Sequence, residues 1–396
     1  MLSKSDTNIA DVISIFQDLN IDCCFIVPTE TGMQKSILDA TSQVRYFLKD
    51  KNYHNYDNQL QGKDNKLIKE CSFLTHSGIN KSKVSLYRPN TKSGDPRIWF
   101  YSLNNYAEAN NLLAILILND ELFLINCSDS ELMRNLSCHQ VINPLAKTLA
   151  NINDHIFDEL LNKMIQINKM GYIKSVGIGH KAIGETLENI LGIKPNASKK
   201  PDYKGIELKT SRSSKNRSNL FSKTPNWKIS RLKGTADILN ERGVYSEEAN
   251  RIALYNTLKA NLPNSHNMLL RVDQENDFLR QNYLNESEEV NDVVWLIEDL
   301  KKSLLEKHPK SLWVKADIDI RNDWEYFKYN KLTYTHSPNP NFFVPLVEAK
   351  IITLDYTMHF KKNGTARDHG YLFKILPENL EKLFPKPQEF DLSLLS

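Results

Sequence analysis

The sequence predicts two domains: a β-rich N-terminal domain, then an α/β domain with a mixed sheet flanked by helices. Three observations carry this. A chain of 396 residues is long for a single core. Short strand-like runs fill the first part, up to about residue 150. Beyond it the apolar period becomes helical, and strands and helices then alternate. The boundary falls near residues 145–152 and is drawn as 1–148 and 149–396. No internal repeat or low-complexity linker marks it.

In the first domain CCFIVP, KVSLYRP and RIWFYSL read as strands. LLAILIL–NDE–LFLINC reads as a hairpin turning at Asn119 and Asp120. Next, Ile156, Leu160, Leu161, Met164 and Ile167 recur at helical spacing, and Gly171 ends that helix. A helix over 183–191 leads to a strand over 205–211, an irregular basic stretch and a strand near 268–273. A helix over 292–307 precedes a strand over 312–320, and a short helix over 343–349 precedes a strand over 351–360. A strand over 371–375 and a helix over 378–384 close the domain.

Composition excludes several classes. With 40% hydrophobic and 25% charged residues the chain is globular rather than disordered. The longest apolar run, LLAILIL, is far too short to cross a bilayer, so no membrane partner is expected. MLSKSDTNIADVISIF has no signal-peptide core or cleavage site. The five cysteines (Cys23, Cys24, Cys71, Cys127, Cys138) are odd in number and form no CxxC pair. They read as reduced thiols of a cytoplasmic protein, not as a disulfide frame or zinc site.

A net charge of +3 is too small to name a partner, but its distribution is informative. Lys199, Lys200, Lys204, Lys209, Arg212, Lys215, Arg217, Lys223, Lys228, Arg231 and Lys233 crowd one stretch. Its only acids are Asp202 and Glu207. A basic band suits phosphate, and a carboxylate pair inside it suits a metal. In PDYKGIELKTS, Ile206, Leu208 and Thr210 alternate with Glu207, Lys209 and Ser211. A strand therefore points Glu207 and Lys209 to one face, about 7 Å apart along the chain. Asp202 precedes them in a turn allowed by Pro201 and Gly205. Two converging carboxylates repel unless a cation lies between them, and Mg²⁺ prefers such oxygens. Lys209 can orient a water or stabilise the pentacovalent phosphate. An ordinary exposed strand would also alternate Glu and Lys, so the surroundings matter. Upstream, GIGHKAIGETLENILGIKPNASKK fails the GxGxxG spacing and lacks a following Gly-Lys-Ser/Thr, so it is no nucleotide loop.

The run GETLENILGIKPNASKKPDYKGIELKTSR resembles the core of the MvaI/BcnI restriction endonucleases, and more distantly the mismatch-repair nickase MutH. Glu188, Asp202, Glu207 and Lys209 match that group's helix glutamate, PD and ExK. The resemblance covers roughly residues 151–396. It implies a PD-(D/E)xK nuclease fold and Mg²⁺-dependent hydrolysis of double-stranded DNA by a monomer, with Asp202 and Glu207 as metal ligands. ARDHGYLFKI also resembles that family, where a loop ahead of a strand reads base edges. Arg367 can donate to guanine O6 and N7, Asp368 can accept from cytosine N4, and His369 can do either. Lys361 and Arg212 join them as expected DNA contacts. Family members read CC–GG sites with one central pair, and CCWGG is the expectation here.

RPNTKSGDPRIWFYSLNNYAEANNLLAILI resembles the EcoRII-like N-terminal effector domain, a β-pseudobarrel. That resemblance implies DNA contacts from Lys35, Arg45, Arg88, Lys92 and Arg97, and a Type IIE enzyme that binds two copies of its site. Two competing readings are a MutH-like strand-nicking repair endonuclease and a non-catalytic DNA-binding protein.

Overall fold

A computed structural model of the chain describes residues 7–142, 154–193, 201–212, 215–286 and 288–395. The expected boundary at 145–152 and the basic residues Lys199 and Lys200 lie outside the described residues. The chain divides into two compact units. One comprises Met1–Ala150 with Leu270–Gln281 and Asn341–Lys350; the other comprises Asn151–Leu269, Asn282–Pro340 and Ile351–Ser396.

The N-terminal part runs α1 (Ile9–Asp18), β1 (Cys24–Ile26), α2 (Glu30–Lys35), β2 (Leu38–Asp39), α3 (Ser42–Asp50), β3 (Leu67–Thr75), β4 (Gly78–Tyr87), β5 (Arg97–Phe100), β6 (Leu113–Leu118), β7 (Glu121–Asn126) and α4 (Ser130–Arg134). Seven strands form one sheet in the order β1-β6-β7-β3-β4-β5-β2. The β6/β7 hairpin turns at Asn119 and Asp120, both at positive φ, as a two-residue hairpin with the right-handed strand twist requires. Val44 and Phe47 of α3 pack with Phe73, Ile98, Ile115 and Leu124 in the core. Strand β3 had no sequence signal. Its first residues are exposed or half-buried, so continuous burial begins only at Cys71. All five cysteines are free.

The second part runs α5 (His155–Lys169), β8 (Ile173–Lys174), α6 (Ala182–Ile190), β9 (Glu207–Ser211), β10 (Ser218–Ser222), α7 (Thr235–Arg242), β11 (Val244–Ser246), β12 (Arg251–Leu258), β13 (Met268–Asp273), β14 (Phe278–Leu284), β15 (Glu289–Leu296), α8 (Ile297–Lys307), β16 (Lys310–Arg321), β17 (Trp324–His336), α9 (Pro340–Glu348), β18 (Thr353–Phe360), β19 (Ala366–Ile375), α10 (Leu380–Leu383) and β20 (Gln388–Asp391). One sheet is ordered β20-β17-β16-β9, with β8 also on β17; a second is β10-β19-β18-β12-β11. Strand β9 runs parallel to β16 and pairs Glu207 with Ser311. Leu160, Met164 and Leu187 of α5 and α6 cover Leu208, Val314 and Tyr329 on one face of the first sheet.

Two expected elements differ. The helix over 292–307 starts only at Ile297, because Asp292–Leu296 belongs to β15. Val293, Val294 and Trp295 are β-formers buried on both faces, which overrides the helical spacing. The loop expected to carry Arg367–His369 is the outer half of β19, paired with β18. Among the described residues no helix is long and apolar enough to cross a membrane.

Candidate active site

Burial of Ile206 and Leu208 in the core under α5 and α6 turns Glu207 and Lys209 to the other face of β9. Glu207 is only 1% exposed, unlike the glutamate of an ordinary surface strand. Its Oε1 accepts a 2.6 Å hydrogen bond from Lys209 Nζ. Its Oε2 is ion-paired with Lys307 Nζ at 2.8 Å, yet accepts no hydrogen bond of good geometry. Asp202 Oδ2 accepts from the Leu208 amide at 3.0 Å, which ties the preceding turn to the strand. That turn takes Lys204 and Gly205 through positive φ. Tyr203 and Lys204 also anchor it on Glu159 of α5.

Glu188, on α6, is half-buried. Its carboxyl is raised above the usual range, first by burial and then by the charges of Asp202, Glu185 and Glu207. The three carboxylates thus share one electrostatic site. The close approach of α6 depends on Gly184, where a Cβ would lie 3.3 Å from Thr210 Oγ1 and 3.9 Å from Glu188 Oε1. A cavity of about 650 Å³ opens beside them, lined by Val176, His180, Lys181, Gly184, Glu188 and Thr210.

Sequence reasoning missed two residues here, Lys307 at the end of α8 and His308 after it. His308 is buried, with Nδ1 2.7 Å from Ser311 Oγ and Nε2 2.5 Å from the Leu220 carbonyl. Burial and the nearby charges of Lys209 and Lys307 push it down to about 3, so it is a neutral imidazole at ordinary pH. Nε2–H therefore donates to Leu220 and Nδ1 accepts from Ser311. Nothing local in EKHPKS signals either role; only the β9/β16 register does.

Among the described residues no three His, Cys, Asp or Glu side chains form a ready-made metal cage. The donor chemistry nevertheless fits a hard divalent cation. Glu188, Asp202 and Glu207 offer oxygens only, and Glu207 Oε2 is a buried oxygen without a hydrogen bond.

The remaining residues singled out in the sequence divide into free and engaged cations. Arg367, Asp368 and His369 are exposed on β19, and Lys361 is exposed on the turn before it. Asp368 is fixed by Thr235 Oγ1 at 2.9 Å and by the Gly370 amide at 3.1 Å. Arg212 is engaged. Its guanidinium forks onto Glu325 and donates to the carbonyls of Gly179 and His180. Much of the basic band is likewise ion-paired: Lys204 with Glu159, Arg217 with Asp355, Lys223 with Asp299, and Arg231 with Glu241 and Asp292. In this structure the band is largely scaffold rather than an open phosphate track. In the N-terminal unit Lys35 is exposed, while Arg45 donates to Ala40, Arg88 to Gly94 and Gln59, and Arg97 is ion-paired with Asp39. Lys35 and Arg97 line a cavity of about 360 Å³ with Thr29, Asp39 and Tyr87. The side chain of Lys92 lies outside the described residues.

Residues 161–384 match the MvaI/BcnI restriction endonuclease family. The fold is similar to that of restriction endonuclease MvaI in complex with its cognate DNA substrate, at 23% identity and a TM-score of 0.53. That match covers 61% of this chain and 100% of the other. MvaI in the absence of DNA matches at 23% identity and a TM-score of 0.38, covering 60% and 99%. No curated protein sequence matches the chain.

Proposed function

Because the chain belongs to the MvaI/BcnI restriction endonuclease family, we propose that it cuts duplex DNA at CCWGG by Mg²⁺-dependent phosphodiester hydrolysis at Glu188, Asp202, Glu207 and Lys209. The carrying observation is Glu207, a buried carboxylate held by Lys209 and electrostatically joined to Asp202 and Glu188. A carboxylate costs several kcal/mol to bury, so a decayed centre would have no reason to retain it.

Asp202 and Glu207, with Glu188 beside them, would hold the ion. When bound, it neutralises charge on the reacting phosphate and makes a water more acidic. The protein groups do the rest. Glu188, whose carboxyl is raised by burial and by neighbouring charges, takes the proton of the attacking water. Lys209 presents a fixed positive charge to the phosphate oxygens. Asp202, tied to the Leu208 amide, keeps its orientation through the cycle.

Arg367, Asp368 and His369 read base edges in the major groove, and Lys361 contacts phosphate. Thr235 and the Gly370 amide pre-orient Asp368 while leaving lone pairs for a cytosine amine. Arg212 instead holds the Gly179–His180 backbone against β17. The N-terminal unit is an EcoRII-like effector that binds a second copy of the site, and the enzyme acts as a cytoplasmic monomer. Its DNA contact centres on Lys35, with Lys92 and the more engaged Arg45, Arg88 and Arg97 around it. The test is digestion of plasmid DNA with Mg²⁺ and with EDTA, followed by sequencing of the ends. Ends at CCWGG with Mg²⁺ alone support the reading; nicks at another sequence, or no cutting, overturn it.

A further inference from the structure

Glu207 is neutralised twice, although the family motif supplies one lysine. Lys209 takes Oε1 through a hydrogen bond. Lys307 lies 2.8 Å from Oε2 without hydrogen-bond geometry, so that buried oxygen is compensated in charge but not bonded. The two ammoniums are also partly solvated, at 22% and 24% side-chain exposure against 1% for the carboxylate. Lys307 can therefore leave into water while Glu207 cannot.

Its backbone is fixed where its side chain is not. Lys307 is the last residue of α8, where a cation is favoured by the helix dipole. The next residue, His308, is locked between Ser311 and Leu220 and stacked on Trp313 at 5.5 Å. This neutral imidazole adds no charge to the centre and fixes the point from which the lysine swings.

Charge balance then gives Lys307 a role. Glu188, Asp202 and Glu207 against Lys209 and Lys307 leave one negative charge. A divalent cation and one phosphodiester bring the centre to neutrality. Without Lys307 the metal-free centre holds two negative charges instead of one, which favours binding of the cation.

We propose that Lys307 is a positioning residue of the cutting centre: its ammonium stands in for the divalent cation at Glu207 Oε2 and yields that oxygen when the cation binds. The inference rests on the metal-site reading above. Its prediction is competition, which a purely structural ion pair does not make.

The test is calorimetric Ca²⁺ titration of the full chain without DNA, comparing wild type with Lys307→Met, Lys307→Gln and Lys307→Arg. The Met and Gln variants bind Ca²⁺ about tenfold more tightly, the scale of one charge-assisted contact no longer broken. The Arg variant binds more weakly than wild type, because a guanidinium can fork onto both carboxylate oxygens. Without metal, the Met and Gln variants melt at lower temperature, and Ca²⁺ restores them. Equal Ca²⁺ affinity across the folded variants overturns the inference. If the Met and Gln variants do not fold, unchanged or tighter binding by the Arg variant overturns it alone. Asp202→Asn separates the two levels: if it keeps wild-type Ca²⁺ binding, the metal site itself is misplaced and this inference falls with it.

Discussion

Replacing Glu207 by glutamine keeps the shape of the centre and removes its buried charge. Two ammoniums within 3 Å of the carboxylate are then left facing each other across a neutral amide. Breaking a fully buried ion pair costs about 3–5 kcal/mol. Lys209 and Lys307 retain water contact, at 22% and 24% exposure, which reduces this to about 1–3 kcal/mol. For a unit of this size that is a fall of about 3–10 °C in melting temperature. On the proposed metal site, cleavage falls by more than about 100-fold, because a cation ligand is lost and the lysines lose their orientation. Binding of the cognate duplex in EDTA holds or tightens, since a negative charge beside phosphate has gone. Melting in EDTA, single-turnover cleavage and duplex binding read the three effects separately. A folded Glu207→Gln protein that cuts at the wild-type rate would refute the assignment. Equal loss of binding and cutting would place Glu207 in a DNA contact instead.

Three further predictions follow from the same geometry. Glu188→Gln raises the metal-free melting temperature while slowing cleavage. Its folded carboxyl is raised by burial and by Asp202, so the ionised form destabilises the fold. That stability is fully present below the unfolded carboxyl pKa and is lost as pH rises through the folded one. The gain over wild type should therefore appear at neutral pH and vanish in acid, and a pH-independent difference in melting would contradict it. Arg367→Ala costs about 1–3 kcal/mol of discrimination at one guanine; uniform weakening on every duplex, with preference unchanged, would make Arg367 a phosphate contact. A single-site plasmid is cut more slowly than a two-site plasmid, and a short cognate duplex added in trans speeds it, by linkage through the N-terminal unit. Lys35→Ala should blunt that activation. Equal rates on both plasmids would remove the effector role.

The centre was readable where its geometry is local. Ile206 and Leu208 alternate with Glu207 and Lys209, and a strand of period two must then place the charged pair together; the 2.6 Å contact is that consequence. The hairpin at Asn119 and Asp120 was readable for a similar reason, since both residues tolerate the positive φ they adopt. Asp292–Leu296 was misassigned because helical spacing in a short window cannot show that both faces of Val293–Trp295 are covered. The setting of the candidate base-reading residues was not legible: Arg367 and Asp368 sit on a paired strand, not a loop.

The basic band gives the deeper reason for what was missed. Along the chain it holds two acids, so it reads as an open surface for phosphate. In space its charges are met by Glu159, Asp292, Asp299, Glu325 and Asp355, all remote in sequence, and by Glu241, ten residues beyond Arg231. The local charge count says nothing about partners that long-range pairing delivers. Lys307 is the converse case. It stands 100 residues from Glu207, and the parallel register of β16 on β9, with Ser311 opposite Glu207, brings its end of α8 to the site. A cation that holds the fold and a cation left for a polyanion are chemically alike, and only topology separates them. By that criterion the cations to test against DNA are Arg367 and Lys361, exposed and without an ion pair among the described residues, rather than Arg212 or Arg217. Arg217→Ala should therefore lower stability by removing one of the two cations on Asp355, the other being Lys374, while leaving the salt dependence of DNA binding unchanged. Lys361→Ala should do the reverse, lowering the slope of log affinity against log salt by about one. If both variants change the slope alike, the separation of scaffold from contact fails.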